Sequence, residues 1–208
     1  MINFDYIARH VRGVWRMAFG GNESDGGGDG MDRSMDGVFA SFWAIIITAP
    51  FAMVAFTADK QIAASSTEFS NTVYAKTPLP VLFTAEIIAL AAYWAASIAA
   101  LVLTARSLNA TRQVAGLIVA YNWGQLVIFM LSTAPAATLI FTGNLNLFAL
   151  VALPAGIAGV FILWRVLRVS LPLTIGATIF LIVLLTAIKL FVNSVVVQAI
   201  VSFYFLFV

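Results

Sequence analysis

A chain of 208 residues that is 62% hydrophobic and 10% charged, with a mean hydropathy of +1.01, departs from soluble domains, which run at roughly 45–50% apolar and 25% charged. The formal net charge is +2, there is no cysteine, and the one histidine, His10, lies outside every apolar run. Disulfides, thiolate chemistry, cysteine-ligated metals and His pairs for zinc or haem are thereby excluded, and neither a cofactor nor a nucleic-acid partner is expected.

Runs of about 20 apolar residues recur, the signature of helices crossing a hydrocarbon core about 30 Å thick. The expected fold is all-α: a polytopic transmembrane helical bundle of five spans, with a sixth as the alternative. No cleavable signal peptide is apparent, because the first apolar run begins near Gly37, after a long polar stretch.

Residues 1–19 contain the stretch INFDYIARHVRGVWRMAF. Phe4, Ile7, Val11, Val14 and Ala18 recur at 3–4 spacing, while Arg9, Arg12 and Arg16 gather on the other side. The pattern predicts an amphipathic interfacial helix with its arginines toward anionic lipid; the alternative is a helix packed under the membrane domain or against a partner. Residues 20–36, rich in Gly and Asp, read as a flexible linker. Asp25, Asp29 and Asp32 lack the alternating oxygen ligands and the final glutamate of an EF-hand, so no metal site is expected there.

Residues 37–208 read as the transmembrane domain. Strong apolar segments cover about 37–58, 80–104, 113–141, 145–167 and 171–191. The third exceeds the length of a span, and Pro135 is expected to end its helix near Ser132, leaving a bent or re-entrant end. Residues 59–79 form the only sizeable loop; the short remaining connections imply antiparallel neighbours. From Thr178 to Val208 there is neither Gly nor Pro, and one unbroken helix would reach about 46 Å at 1.5 Å per residue. That overshoots a single crossing. The fifth span is therefore expected to end near Phe191, its tail lying at the outer interface or over neighbouring helices, with a tilted sixth span as the alternative.

Arg9, Arg12, Arg16, Arg33, Arg106, Arg112, Arg165 and Arg168 collect at one end of the spans, and Lys60, Lys76 and Lys189 toward the other. By the positive-inside rule the N-terminus is expected to be cytoplasmic.

Apart from Arg165, which belongs to the arginine-rich end, two charges lie inside apolar segments: Glu86 in the second and Lys189 in the fifth. Helical rise from the span ends puts both in the outer half of the bilayer, within about 5 Å of one depth. An intramembrane charge faces the bundle interior and finds a partner, so these two are expected to pair. Asn122 and Gln125 on the third span, Asn193 one turn beyond Lys189, and Tyr93 on the face of Glu86 complete a candidate polar cluster. It reads either as a binding or proton-relay position or as contacts that fix helix register. Ala85, Ala89, Ala92, Ala96 and Ala99 or Ala100 form a small-residue stripe, and Pro154, Gly156 and Gly159 suit a kink and tight packing. Trp43, Trp94, Trp123 and Trp164 read as packing or interface anchors. There is no Walker loop, no Gly-x-Ser-x-Gly, no His-Glu-x-x-His and no acidic pair within one span, so no enzymatic activity is expected.

The layout resembles the Yip family of Rab-interacting membrane proteins, in its bacterial branch. The likeness covers about residues 37–191 and is carried by RSLNATRQVAGLIVAYNWGQLVIF, a short basic turn leading into the third span, and by LWRVLRVSLPLTIGATIFLIVLL between the fourth and fifth. The Asp-Leu-Tyr-Gly-Pro and Gly-Tyr motifs of the eukaryotic members are absent, so the resemblance implies a non-enzymatic membrane organiser without a Rab-type partner.

The expected function is that of a membrane-organising or accessory subunit acting through helix–helix and lipid contacts, with a protein partner or a second copy in the membrane. A small-solute or proton-coupled transporter with Glu86 at its site is the first alternative, and an assembly factor for a larger membrane complex the second. The topology is open to test. Reporter fusions after Asp32, within residues 107–111 and near Ser170 should report cytoplasm, and those near Thr67 and Asn144 the exterior; a cytoplasmic signal at Thr67 would overturn the arrangement.

Overall fold

A helix that is apolar around its whole circumference must be covered by other helices or face lipid. The computed structural model, which describes residues 3–20, 30–65 and 73–207, resolves this choice helix by helix. Asp25 and Asp29 of the expected linker, and residues 66–72 of the expected loop, lie outside the described residues. The elements are α1 (Phe4–Phe19), α2 (Met35–Ser41), α3 (Trp43–Ser65), α4 (Val73–Lys76), α5 (Leu79–Ser107), α6 (Val114–Thr142, entered through a 3-10 turn at Thr111–Gln113), α7 (Leu145–Ser170) and α8 (Ile175–Phe205). Among the described residues there is no strand, and five helical stretches are long and apolar enough to cross a membrane: α2 with α3, α5, α6 with its 3-10 turn, α7 and α8. The chain is an all-α, multi-pass membrane protein.

α6 is the covered helix. Every residue from Leu117 to Val127 is buried, with α3 and α7 packed along it and α1, α2 and α5 against its remaining sides. Small residues allow the close approach to α7: a Cβ on Gly124 would lie 3.3 Å from Val166 Cγ2, and one on Gly159 would lie 3.4 Å from Ile128 Cγ2. The α6–α7 turn is short because Gly143 takes a left-handed conformation (φ 64°) and Asn144 caps α7, its Oδ1 accepting from the Asn146 and Leu147 N–H groups at 2.9 and 3.1 Å. α5 and α8 form a second close pair, which touches the α3–α6–α7 group over a smaller area.

Three expectations are corrected. Pro135 does not end its helix; α6 runs through it to Thr142. Continuing deprives only the Leu131 carbonyl of its usual donor, whereas a break in apolar surroundings would strand several backbone groups. Pro50 in α3 and Pro154 in α7 likewise lie inside continuous helices. Next, α8 passes through Asn193 and Ser194 to Phe205, so there is neither a detached tail nor a sixth crossing. Its last turns are held by Val197 and Val201 packing on Leu82, Ala85 and Ala89 of α5. Its 31 residues reach about 46 Å, close to the roughly 40–45 Å of a bilayer with its headgroup regions. Finally, α3 extends to Ser65, which brings Asp59 and Lys60 into the helix; Lys60 Nζ donates to the Thr77 carbonyl and ties the end of α3 to the start of α5.

The packing stripes are shorter than the spacing suggests. Ala85 and Ala89 are buried, but Ala92 and Ala96 are half-buried. Gly159 packs, while a Cβ on Gly156 would meet nothing within 4 Å.

α1 docks on the ends of α6 and α7, the packed alternative. Its buried face is His10, Gly13, Val14, Met17 and Ala18, so Phe4, placed on the apolar face by its spacing, is instead 81% exposed. Arg9, Arg12 and Arg16 remain on the exposed side. Arg165 Nε of α7 donates to the Met17 carbonyl at 3.1 Å. The fully buried His10 ring stacks on Trp123 of α6 with centroids 5.0 Å apart. Its Nε2 accepts the Asp32 N–H at 3.2 Å, which leaves the proton on Nδ1, donated to the Tyr6 carbonyl at 2.8 Å.

Burial holds the His10 imidazole below its ordinary value; the Tyr6 carbonyl and the Asp32 carboxylate oppose that shift, and Arg9 adds to it. The folded state thus binds fewer protons than the unfolded one, and stability rises with pH. The contribution is complete above the unfolded value of about 6.5 and fades as the pH falls toward the lower folded value. Hydrogen exchange of residues 3–20 should accelerate between about pH 7.5 and 5 relative to a His10→Phe variant. Equal pH dependence in the two proteins would show that the ring does not control docking.

Candidate functional site

The α5–α8 pair and the α3–α6–α7 group meet incompletely, and the gap between them is a cavity of about 500 Å³. Its α7 wall combines Phe148, Val160 and Leu163 with Ala152, Ala155, Gly156 and Gly159, and these last four project too little to fill it. The facing helices supply polar groups: Asp59 from α3, Glu86 and Tyr93 from α5, Gln125 and Ser132 from α6, and Thr186, Lys189 and Asn193 from α8.

Each charge reaches the cavity for a local reason. Glu86 is one turn above Leu82 and one below Ala89 and Leu90, all buried on the same face of α5, and the residue is only 3% exposed. Its Oε2 accepts a hydrogen bond from Asn193 Nδ2 at 2.9 Å, joining α5 to α8. Lys189, one turn before Asn193, points across toward α6, its ammonium 5.5 Å from the centroid of the Phe129 ring. From there it lies within electrostatic range of both Asp59 and Glu86. Three formal charges from three helices therefore converge, and the described lining residues sum to one negative charge: two carboxylates against one ammonium.

Of the cluster expected from the sequence, Glu86, Lys189, Gln125, Tyr93 and Asn193 line one cavity. Asn122 does not. Its fully buried amide accepts from Trp94 Nε1 at 2.7 Å and donates to Ser41 Oγ at 2.8 Å, while Ser41 donates onward to the Val38 carbonyl at 2.7 Å. α2, α5 and α6 are joined through that amide. Tyr93 spans both regions, lining the cavity and sharing a hydrogen bond of 3.1 Å with Tyr121 of α6 through their hydroxyls.

Asp59 is the charge that the sequence reading missed. It falls one residue beyond the expected end of the first span, so spans two and five do not hold all the charges of the membrane domain. The available signal was the run ADKQIAAS, which keeps helix-forming residues and no Gly or Pro through residue 65. Arg9, Arg12 and Arg16 lie outside this site, on the exposed face of α1.

Chemically the cavity offers carboxylates to a cation or a proton, an ammonium to an anionic group, and amide and hydroxyl donors between them. Its volume falls within the roughly 300–1,000 Å³ of small-molecule sites. No protein-family model, curated protein or solved structure matches the chain.

The three charges make a specific prediction. Lys189→Met leaves two carboxylates facing each other, whereas Glu86→Gln leaves Asp59 to balance Lys189. Lys189→Met should be the more destabilising in thermal unfolding, by about 1 kcal/mol or more, and adding Glu86→Gln to it should recover stability. Equal single losses with no recovery in the double variant would show that the side chains act separately.

Proposed function

We propose that this protein is a non-enzymatic membrane carrier whose cavity binds a small cationic solute or a proton, with Glu86 at the centre of the site and Asp59 and Lys189 setting its charge. The observation that supports this most is the convergence of two carboxylates and one ammonium on an open cavity among transmembrane helices. A net negative charge in a low-dielectric site is costly, and a proton on a carboxylate or a bound cation removes that cost. A membrane-organising or accessory subunit, the role implied by the Yip-like layout, needs no such opening. A scaffold is better served by a sealed ion pair, and Gly156 and the alanines of α7 leave this cavity unfilled. We further place the arginine-rich end in the cytoplasm of a bacterial inner membrane, with anionic lipid against Arg9, Arg12 and Arg16.

The chain carries no native thiol, so single cysteines report on the cavity without background. Ser132→Cys and Thr186→Cys, in membranes, should react with a cationic methanethiosulfonate about tenfold faster than with an anionic one, as expected of a cleft with one sign of charge in excess. Leu117→Cys, in the packed core, should stay unmodified. In proteoliposomes loaded with a pH-sensitive dye, Glu86→Gln should abolish proton uptake driven by an imposed potential while leaving the melting temperature within a few degrees of the parent. Failure of both reagents at both cavity positions would sink the carrier reading and favour the organiser.

A further inference from the structure

The arginine-rich end holds a second cavity, of about 270 Å³, where the end of α1, the segment before α2, the 3-10 turn and the end of α7 meet. Arg33 and Arg112 line it, with Gln113 and Ser170 beside them, and no described lining residue is acidic. Other arginines at this end are engaged: Arg165 Nε binds the Met17 carbonyl at 3.1 Å, and Arg168 Nη1 binds the Leu173 carbonyl at 3.0 Å. Arg33 and Arg112 have neither a hydrogen bond nor an ion pair among the described residues.

Arg33 is nonetheless placed. Its side chain lies on Gly116 at the first turn of α6, where a Cβ would come within 3.3 Å of its Cδ and 3.8 Å of its Nε. A glycine at 116 is what lets the guanidinium reach the cavity. Two guanidiniums on one concave wall repel each other, and a dianion between them replaces that repulsion with two charge-assisted, bidentate contacts.

We propose that this cavity binds a phosphate monoester group, with Arg33 and Arg112 as its cationic ligands and Ser170 and Gln113 as donors to its remaining oxygens. A monoester carries close to two negative charges at neutral pH, its second pKa being about 6, and so matches the two arginines. The site lies at the end of the spans, beside the docked α1, where either a lipid headgroup or a soluble phosphate could reach it. It is separate from the carrier cavity and does not depend on that reading.

The test uses the full chain in phosphatidylcholine nanodiscs, with inorganic phosphate or glycerol 3-phosphate added to the buffer, or with phosphatidic acid added to the bilayer. Thermal unfolding and native mass spectrometry read the binding. Stabilisation by phosphatidic acid alone identifies a lipid headgroup as the ligand, and stabilisation by inorganic phosphate or glycerol 3-phosphate identifies a soluble phosphate. In either case Arg33→Gln with Arg112→Gln should weaken binding at least about tenfold, whereas Arg9→Gln with Arg12→Gln should change it less than about twofold. Ser170→Leu fills the cavity while keeping both arginines, and should give the same loss should the double variant fold poorly. No stabilisation by any of the probes, or equal losses in the two arginine pairs, would overturn the site and leave only diffuse attraction to a basic surface.

Discussion

The side-chain amide of Asn122 is the tie on which the bundle depends. In lipid a buried amide has no water to turn to, so its position requires a donor and an acceptor on neighbouring helices. Trp94 supplies the donor and Ser41 the acceptor. Those partners belong to α5 and α2, so a single side chain on the central helix fixes the register of three elements. Every residue from Leu117 to Val127 is buried around it, the longest unbroken buried run among the described residues.

The cavity follows from where that tie sits. The α5–α8 pair is joined to α6 through Trp94 and Asn122, and again through the Tyr93 and Tyr121 hydroxyls. Farther along, Lys60 bonds the Thr77 carbonyl and links α3 to α5. Between these points α7 faces the gap with Ala152, Ala155, Gly156 and Gly159 among its lining residues, and the two groups do not close. Glu86, Asp59 and Lys189 occupy that unclosed stretch, which is why they share a cavity instead of being sealed as isolated pairs. The hydrogen bond from Asn193 to Glu86 belongs to the α5–α8 pair itself, and would be kept if the pair moved as a unit against α6.

Much of this was legible in the sequence because membrane helices advertise their exceptions. Glu86 and Lys189 stand out as charges among apolar residues, Asn193 and Tyr93 follow from helical spacing to those two, and Gln125 stands out as an amide near the middle of the third span. Asn122 stood out equally, but spacing along one helix does not say which neighbour an amide faces, so it was assigned to the wrong cluster. Asp59 was missed because a fall in hydropathy at the end of a span looks the same whether the helix stops or continues into the headgroups. Pro135 misled for the opposite reason: proline is a reliable stop in water, but in apolar surroundings losing one hydrogen bond costs less than ending the helix. His10 entered the sequence argument only as the single histidine, outside every apolar run, yet its ring bridges α1, the Asp32 backbone and Trp123, a contact formed across more than a hundred residues of chain.

The same geometry separates binding from transport. A solute or proton that reaches Glu86 from the cavity meets the layer formed by Tyr121, Asn122 and Trp123, each at most 1% exposed, before it could approach the arginine-rich end. No rotation of a single side chain opens that layer, because Trp94 and Asn122 are bonded to each other and Tyr93 to Tyr121. Access to the other side requires the α5–α8 pair to move against α6 and break both contacts together. Binding requires neither. For the proposed carrier, the strength of the Trp94–Asn122 and Tyr93–Tyr121 contacts would thus set the barrier between holding a ligand and passing it on, and weakening them would alter passage without touching Glu86, Asp59 or Lys189.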